Sequence, residues 1–416
     1  MSGRLQPVRG TQDLLPAAMR RFRVVTETAR DIAERFGYEE IATPIFEFSE
    51  VFSRPIGETT DIVMKEMYSF ADKGGENLSL RPENTAGVVR AVMTNGLTQS
   101  LPLRLFYQGP MFRYERPQKG RFRQFHQIGI ELIGVKEPQG DVEAIALGAE
   151  ILQALGVLSR TVLELNTLGD GPSRSAYREA LVKFYQAHHH KLSEDSRHRL
   201  ERNPLRILDS KDEGDKAINA HAPGFAEFLT PEARDFYGAV KHGLDLLGIS
   251  YKENPKLVRG LDYYCHTAFE FTTTELGSQG AVLAGGRYDG LMGVMGGPET
   301  PGVGWAGGIE RLALMIGEPA SAPRPIALVP IGSEGESLAL KLAQDLRRDG
   351  FSVDLAYSGN LQKRMRRADK IKARAAVILG EDELKRGQAA IRDLDSGNQT
   401  EAPLAALKER LAAFRS

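Results

Sequence analysis

The N-terminal part of the chain shows first a helical and then a strand-like spacing of apolar residues. Residues 19–36 place one apolar face on a predicted helix, formed by Met19, Phe22, Val25, Ala29, Ile32, Ala33 and Phe36. Residues 37–48 predict a strand that Pro44 confines to a sheet edge or breaks, because proline cannot donate a ladder hydrogen bond. Residues 77–87 then predict a strand that runs into a helix ending near Gly96.

Two longer alternating stretches, 101–115 and 121–134, predict an antiparallel hairpin with a polar tip at 116–120. Side chains on a strand point alternately to its two faces. One face of the second stretch carries Arg121, Arg123, Phe125, Gln127, Gly129 and Glu131. The opposite face suits burial through Phe122, Ile128, Ile130 and Leu132, although Gln124 and His126 interrupt it. An aromatic ring and a glycine are poor choices for a face that is only solvated, so the first face is expected to bind a ligand.

The pattern changes in the middle of the chain and again near its last quarter. Residues from about 171 to 250 are helical and rich in charge, which predicts a helical insertion within a first domain of residues 1–320. Residues 318–325 have the composition of a linker. Beyond them, elements in the order β-α-β-α-β-β-α predict a compact α/β domain at 325–416.

Composition indicates an ordinary globular protein. The chain has 416 residues, and its net charge of −1 excludes a simple polycation for nucleic acid. Its one cysteine, Cys265, excludes an internal disulfide and suits a reducing compartment. Residues 1–16 lack an apolar signal core, and no run approaches the roughly 18 apolar residues that span a bilayer. A cytoplasmic enzyme with no membrane partner is therefore expected.

Two short motifs are better explained by structure than by a ligand. Residues 302–307 match the dinucleotide pattern G-x-G-x-x-G, but the preceding stretch is loop-like where that fold needs a strand. Close packing of a glycine-rich strand against the next helix is the preferred interpretation. The histidines at 188–190 are consecutive and cannot share a helix face, so a solvated helix end is preferred to a metal site. No Cys/His zinc spacing is present, and no metal site formed by protein side chains is predicted.

Charged and aromatic residues on the hairpin and its neighbours suit a nucleotide together with a small polar substrate. Arginine binds phosphate through its planar fork, and the candidates are Arg113, Arg121 and Arg311. Phe125 is suited to stack a base, whereas Glu83 and Glu131 are suited to hold a cationic amine or a ring N–H. A single arginine is more often part of a surface ion pair, so the hypothesis depends on the clustering of these residues.

These motifs resemble those of the class II aminoacyl-tRNA synthetases and, within that class, of the histidyl-tRNA synthetase family. Residues 112–134 look like motif 2, residues 304–315 like motif 3, and residues 37–52 like the weaker motif 1. The sequences LVRGLDYY at 257–264 and AGGRYDGL at 284–291 look like the two histidine-specific motifs, which are the most specific part of the resemblance.

The resemblance implies an α+β fold with a six-stranded antiparallel sheet and helices, followed by an α/β anticodon-binding domain. It also implies a homodimer, because motif 1 supports the dimer interface in this family. The implied activity is ATP-dependent activation of L-histidine to histidyl-adenylate, followed by transfer to the 3′ end of tRNA(His). ATP and Mg²⁺ are the implied cofactors.

The resemblance also implies roles for single residues. Arg113 is expected to bind the α-phosphate, and Arg259 to lie between that phosphate and the histidine carboxylate, where a cation offsets the repulsion of two anions. The implied ATP site consists of Arg113, Glu115, Arg121, Phe125 and Arg311. The implied histidine site consists of Glu83, Thr85, Gln127, Glu131, Tyr264 and Tyr288, with Tyr264 and Glu131 at the imidazole.

The expected tRNA contacts are less specific. Arg116 and Gln118, on the hairpin tip, match positions that the family uses near the extra 5′ guanosine of its tRNA. Seven basic residues and one acidic residue lie between Lys363 and Arg374, which suits phosphate contact but also a merely solvated helix face. His266 stands where the family often has a basic residue, so the charge near the tyrosines is expected to depend on pH.

Two alternatives remain at this stage. One is a catalytically silent paralogue that regulates histidine biosynthesis, which usually lacks the C-terminal domain and has degraded catalytic arginines. The other is a class II synthetase for another amino acid. The presence of Arg113, Arg259 and a C-terminal domain argues against the first, and the two histidine-specific motifs argue against the second.

Overall fold

The computed structural model describes residues 5–57, 60–118, 120–208, 210–277, 280–318 and 322–415. The chain divides into two compact units, Met1–Pro319 and Ala320–Ser416. The middle of the predicted linker, residues 319–321, lies outside the described residues, as does Lys119 on the hairpin tip. Among the helices described, none combines the length and the apolar character needed to cross a bilayer.

The strands of the first unit are, in chain order, β1 Glu39–Glu40, β2 Phe46–Phe48, β3 Tyr68–Ala71, β4 Asn77–Leu80, β5 Leu103–Phe112, β6 Gln124–Ile133, β7 Val162–Thr167, β8 Lys252–Glu253, β9 Cys265–Thr272, β10 Ala281–Arg287 and β11 Gly302–Gly308. Its helices are α1 Pro16–Arg35, α2 Glu50–Ile56, α3 Thr85–Thr94, α4 Pro138–Ala154, α5 Gly171–Ala187, α6 Glu194–Arg202, α7 Glu213–Asn219, α8 Pro231–Leu246, α9 Leu291–Val294 and α10 Ile309–Met315. The predicted N-terminal helix, the strand interrupted at Pro44, the strand that leads into α3 and the hairpin β5–β6 are confirmed.

The large sheet differs from the six-stranded antiparallel sheet that the resemblance implied. Across the described residues it has eight strands in the order β1-β5-β6-β11-β10-β9-β7-β8, and it is mixed. The six inner strands are antiparallel, but the two-residue strands β1 and β8 pair in parallel with β5 and β7 at the edges. The expectation was therefore wrong at both edges, because a two-residue strand is too short to show an alternating pattern.

Helices α1, α4 and α10 cover one face of this sheet, and the other face is covered only in part, by α2 and α3 among others. The apolar side chains of β6, Ile128, Ile130 and Leu132, are buried in a core shared with α1, α4 and α10. A second core lies across the sheet, where Tyr107 and Met111 of β5 pack with α3 and with the tyrosines of the 257–264 segment. A small sheet in the same unit has the strand order β2-β4-β3 in the described residues.

The region from about 171 to 250 contains α5, α6, α7 and α8. Each of these helices begins after a side chain that accepts a hydrogen bond from a backbone N–H three residues later, at 2.8 to 3.2 Å; the capping residues are Asp170, Ser193, Asp212 and Thr230. Such caps satisfy amides that a helix start leaves without partners. Helices α5, α6 and α7 share a small core of their own around Leu181 and Tyr185, whereas α8 packs on α4.

The two short motifs have the structural explanations that the sequence favoured. Residues 302–308 form β11, an inner strand between β6 and β10 that leads into α10. Helix α5 ends at Ala187, and His189 and His190 are exposed in the turn that follows it.

The second unit contains β12 Ile326–Pro330, α11 Gly332–Arg348, β13 Val353–Leu355, α12 Leu361–Lys370, β14 Ala375–Leu379, α13 Glu381–Lys385, β15 Gln388–Asp393, β16 Gln399–Pro403 and α14 Leu407–Leu411. Its sheet has the order β13-β12-β14-β15-β16 in the described residues. The predicted α/β order is confirmed, but α13 and β16 were missed. Strand β16 is exposed at four of its five positions and has no apolar alternation to reveal it.

Candidate active site

A pocket of about 250 Å³ opens on the partly covered face of the large sheet, where the hairpin faces the 257–264 segment. Most of the predicted site residues line it: Glu83, Thr85, Arg113, Glu115, Arg121, Phe125, Gln127, Arg259, Tyr264 and Arg311. Two others, Glu131 and Tyr288, are buried beneath its closed end. Arg116 and Gln118 are exposed on the hairpin tip and do not line the pocket.

The alternation of β6 explains why one of its faces is polar. Phe125 and Gln127 line the pocket, and Gly129 leaves room for the ring of Tyr107. Strand β6 begins only at Gln124, and of the two predicted arginines that precede it Arg121 still lines the pocket whereas Arg123 does not. Arg123 accordingly departs from the prediction, since its guanidinium lies 3.7 Å from the ring centroid of Tyr114.

The closed end of the pocket is built around a fully buried carboxyl group, that of Glu131. It accepts hydrogen bonds from Thr85 Oγ1, at 2.7 Å, and from the hydroxyl of Tyr288. Burial raises the pKa of Glu131 to about 8, although the two hydrogen bonds favour the charged form. Gly304 of β11 makes this arrangement possible, because a Cβ atom there would collide with the Glu131 carboxylate.

A second carboxylate, that of Glu83, lies at the start of α3. It accepts hydrogen bonds from the backbone amides of Thr85, at 2.6 Å, and Ala86, at 3.0 Å. Burial raises the pKa of Glu83, and these two amides oppose the increase. Gln127 Oε1 is buried without a hydrogen-bond partner among the described residues. Two acceptors at this end of the pocket are therefore suited to a ligand that carries N–H donors.

Three arginines give the open part of the pocket its positive charge. Arg113 donates from Nε to the carbonyl of Pro82 at 2.8 Å, and its Cζ lies 5.4 Å from the ring centroid of Phe125. Arg121 pairs with the carboxylate of Glu115. Arg311 donates to the carbonyl of Ala281 and lines the same pocket.

Arg259 reaches the pocket from the side opposite the hairpin. Its guanidinium pairs with the carboxylate of Glu270 on β9, and its Cζ lies 5.4 Å from the ring centroid of Tyr264. Its Nε is buried without a hydrogen-bond partner in the described part of the chain. A cation is therefore held at the pocket wall with one donor still to be satisfied by a ligand.

Sequence reasoning missed Glu270, although the pattern contained a signal for it. Phe269 and Phe271 on either side of it are buried in the core, so a charged residue between them must lie on the opposite face of β9. That face is the pocket.

Glu310 was also missed. It lines the pocket and accepts hydrogen bonds from His126, one from the backbone N–H at 2.9 Å and one from the ring Nδ1 at 2.8 Å. This contact explains why a histidine interrupts the apolar face of β6. Tyr263 is a third omission; its ring centroid lies 4.6 Å from that of Tyr264.

His266 does not supply a pH-dependent charge near neutral pH. Burial lowers the pKa of its imidazole, so the ring is neutral there. Its ring packs 4.6 Å from that of Phe236 on α8. Any pH dependence of the charge at this position is therefore moved to more acidic pH, an effect of burial that the sequence alone could not include.

Within the described ranges, no group of three or more His, Cys, Asp or Glu side chains could hold a metal ion. Glu115 and Glu270 each already face an arginine.

Comparison with known proteins agrees with this geometry. A family model described as "Histidyl-tRNA synthetase" matches residues 10–312, and one described as "Anticodon binding domain" matches residues 326–413. The chain belongs to the histidyl-tRNA synthetase family. The "Histidine--tRNA ligase" of Rhodospirillum rubrum is 60% identical over 411 residues, which cover 99% of each chain. That of Gluconacetobacter diazotrophicus is 58% identical over 410 residues, again 99% of each chain.

A solved structure extends the agreement from sequence to fold. The apo histidyl-tRNA synthetase of S. aureus is 35% identical and superposes with a TM-score of 0.84, covering 98% of this chain and 99% of the other. The fold of the histidyl-tRNA synthetase family and the C-terminal anticodon-binding domain are thus confirmed. The family in general uses ATP and Mg²⁺ and binds histidine and tRNA.

Proposed function

We propose that this chain is a histidine–tRNA ligase, which uses ATP to activate L-histidine as histidyl-adenylate and then transfers the histidyl group to tRNA(His). The observation that carries the proposal is the pocket itself. A buried carboxyl group, Glu131, closes one end, and arginines from three different segments surround the other. The first end suits an imidazole, and the second suits the phosphates of ATP.

The closed end recognises the imidazole through Glu131 and Tyr264. Imidazole has one N–H donor and one acceptor nitrogen when neutral, so a carboxyl group and a phenol satisfy both. Glu83 and Gln127 hold the α-amino group, and Thr85 and Tyr288 keep Glu131 in place. An amino acid without both ring nitrogens leaves buried polar groups without partners, which selects against it by roughly 10⁴-fold or more.

The open end binds ATP. Phe125 and Arg311 lie on either side of the adenine, and Arg121, oriented by Glu115, contacts the terminal phosphates. Arg113 binds the α-phosphate through the nitrogens that remain after its bond to Pro82. Mg²⁺ bound to the phosphates of ATP would neutralise part of their charge.

Arg259 supplies the positive charge between the two reactants. A histidine carboxylate oxygen attacks the α-phosphorus, the new C–O–P linkage forms, and pyrophosphate leaves. Both reactants are anionic, so a guanidinium between them lowers their repulsion and stabilises the charge that develops at phosphorus. Glu270 holds this guanidinium at the pocket wall.

The tRNA contacts come from the hairpin tip and the second unit. Arg116 and Gln118 are exposed and lie near the 5′ guanosine of the bound tRNA. On α12, Arg364 pairs with Glu336 and Arg367 with Asp354, so these two arginines serve the fold. The exposed basic residues that remain on α12 contact phosphates; they are Lys363, Arg366 and Lys370.

The small sheet supports a homodimer. Large apolar side chains are exposed on and beside it, namely Ile45 at 43%, Phe46 at 55%, Phe48 at 55% and Phe70 at 46%. A cluster of this kind on a soluble chain marks an interaction surface. Ile45, Phe46 and Phe48 of this cluster lie in the motif 1 region. The proposed dimer acts in the cytoplasm, where its tRNA is found.

ATP–pyrophosphate exchange with each of the twenty amino acids, without tRNA, tests the proposal. Exchange with histidine alone is expected, because only histidine fills the closed end. Absence of exchange from folded protein favours the regulatory paralogue instead, and exchange with a different amino acid refutes the pocket assignment. Charging of a tRNA(His) transcript then tests the transfer step.

A further inference from the structure

The segment that carries Arg259 is held at its backbone by an arginine of the helical insertion. Arg206 lies in the turn Pro204–Ile207 that follows α6. Its Nη2 donates to the carbonyl of Gly260 at 2.9 Å and to the side-chain Oδ1 of Asp262 at 3.0 Å. The guanidinium of Arg206 thus holds both the backbone of Gly260, which follows Arg259, and the side chain of Asp262.

A second arginine of the insertion holds the other end of the same segment. Arg174, on α5, donates from Nη1 to the carbonyl of Tyr264 at 3.0 Å and from Nη2 to the carbonyl of Asp262 at 3.4 Å. Backbone carbonyls at 260, 262 and 264 therefore all accept hydrogen bonds from the insertion. Arg259, Leu261, Tyr263 and Tyr264 of the same segment line the pocket.

The segment needs this support because it separates two cavities. The first is the substrate pocket, and the second is a space of about 450 Å³ between the segment and the insertion. Arg259, Leu261 and Tyr264 line both. Tyr263 and Tyr264 pack in the second core, whereas Arg259 borders both cavities, so hydrogen bonds to the backbone beside it help to hold it in place.

We propose that Arg206 and Arg174 are positioning residues that divide the segment between them. Arg206 sets the place of Arg259 relative to the α-phosphate, and Arg174 sets the place of Tyr264 relative to the imidazole. The inference rests on the proposed role of Arg259. It assigns to the helical insertion a part in adenylate formation, a step that takes place before any tRNA is bound.

The geometry predicts different kinetic effects for the two arginines. A misplaced Arg259 weakens the transition state and leaves histidine binding intact, which lowers kcat. A misplaced Tyr264 weakens histidine binding itself, which raises KM. A purely structural role changes the melting temperature and the active fraction, but it does not separate kcat from KM.

Steady-state ATP–pyrophosphate exchange tests this with Arg206→Ala and Arg174→Ala. For Arg206→Ala, kcat is expected to fall about 10- to 100-fold with the histidine KM within about threefold of wild type, as for the loss of a charged hydrogen bond. For Arg174→Ala, the histidine KM is expected to rise about tenfold, with the smaller change in kcat. Arg206→Lys keeps a cationic donor and is expected to recover part of the loss.

Arg197→Ala is the matched control. Arg197 is exposed on α6 and lines neither cavity, so its replacement is expected to leave exchange unchanged. Hydrogen–deuterium exchange of residues 257–264 supplies a measurement that does not depend on catalysis. It is expected to increase in Arg206→Ala and Arg174→Ala but not in Arg197→Ala. If Arg206→Ala does not fold, Arg206→Gln, which keeps one donor, replaces it in both experiments.

The outcomes separate this inference from the proposed catalytic role. Unchanged kcat in folded Arg206→Ala, together with an inactive Arg259→Ala, overturns the positioning role and leaves the role of Arg259 intact. An equal decrease of kcat in Arg197→Ala and Arg206→Ala also overturns the positioning role, because it indicates general destabilisation of the protein. ATP–pyrophosphate exchange at the wild-type rate by Arg259→Ala refutes the catalytic role of Arg259 itself. Faster hydrogen–deuterium exchange of residues 257–264 in Arg206→Ala would then show a structural restraint that has no catalytic consequence.

Discussion

Thr85 Oγ1 lies 2.7 Å from Glu131 Oε1 and donates a hydrogen bond to it at the closed end of the pocket. Thr85 is the first residue of α3, and Glu131 is near the end of β6. A helix start therefore holds the carboxyl group of a strand that lies 46 positions further along the chain. This contact fixes the direction in which Glu131 presents its oxygens to a ligand.

Thr85→Val is expected to raise the KM for histidine about tenfold, because a buried carboxyl group loses one of its donors without any change in side-chain volume. Exchange assays at varied histidine concentration measure the effect. Thr94→Val, at the exposed end of the same helix, is the control and is expected to behave as wild type. An unchanged KM in Thr85→Val contradicts the proposed support of Glu131.

The affinity for histidine is expected to be highest between about pH 6.5 and pH 8. Burial raises the pKa of Glu131 to about 8, so the group is protonated below that pH in the empty pocket. The imidazole of free histidine is neutral above about pH 6.5. In the complex, Glu131 and the imidazole share one proton. Below pH 6.5 both free groups are protonated, so binding releases a proton; above pH 8 neither carries this proton, so binding takes one up. The affinity for histidine therefore falls on both sides of this range.

Calorimetric titration of histidine across this range measures the profile, and buffers of different ionisation enthalpy count the protons. In Glu131→Gln, the decrease in histidine affinity above pH 8 that is due to Glu131 is expected to disappear. Any decrease that is due to the amino group of the substrate is expected to remain. An alkaline limb that is identical in wild type and variant is incompatible with the raised pKa as its cause.

Gly304→Ala is expected to disrupt histidine binding. A Cβ atom at this inner-strand position collides with the Glu131 carboxylate, so either the carboxylate or the strand must shift. Overpacking of this kind costs about 1–3 kcal/mol of stability, and the displaced carboxyl group is expected to raise the histidine KM by more than about tenfold. Gly317→Ala, where a Cβ atom meets nothing within 4 Å, is the control. Normal binding by the Gly304 variant indicates that Glu131 does not contact the substrate.

Arg259→Ala is expected to abolish adenylate formation, because the variant loses the cation proposed to lie between the histidine carboxylate and the α-phosphate. Histidine binding, measured by calorimetry, is expected to remain detectable, since Glu131, Glu83 and Gln127 are untouched. Activation of histidine at a rate near that of wild type would falsify the proposed role.

Lys363→Ala and Arg366→Ala are expected to weaken tRNA binding without changing ATP–pyrophosphate exchange. Each removed phosphate contact reduces the slope of log Kd against log salt concentration by about 1. Filter binding at several salt concentrations measures the slope. Lys408→Ala, whose lysine pairs with Asp349 at 2.7 Å, is the control. Slopes equal to wild type in both α12 variants favour the solvated-face alternative.

The hairpin illustrates how far local patterns reach. The alternation from Phe125 to Glu131 placed the polar face of β6 without any knowledge of its neighbours, because the backbone geometry of a strand forces side chains to opposite sides. The same argument failed for Arg123. It lies before the first residue of β6, where the strand geometry no longer applies.

The edge strands of both sheets show what local patterns cannot predict. The two-residue strands β1 and β8 and the exposed strand β16 pair with a neighbour but bury almost nothing themselves. Burial is what makes a strand visible as an apolar pattern. An edge strand of this kind exists because a partner backbone lies beside it, and the partner is set by the fold.

The sequence by itself determined the types of most elements, the polar face of the hairpin and the chemical character of the site, because these depend on residues close together in the chain. The tertiary structure alone decided which groups meet. Thr85 and Glu131 are 46 positions apart, and Arg206 and Gly260 are 54 apart. The raised pKa of Glu131 likewise arises only when distant strands and helices exclude water from the same space.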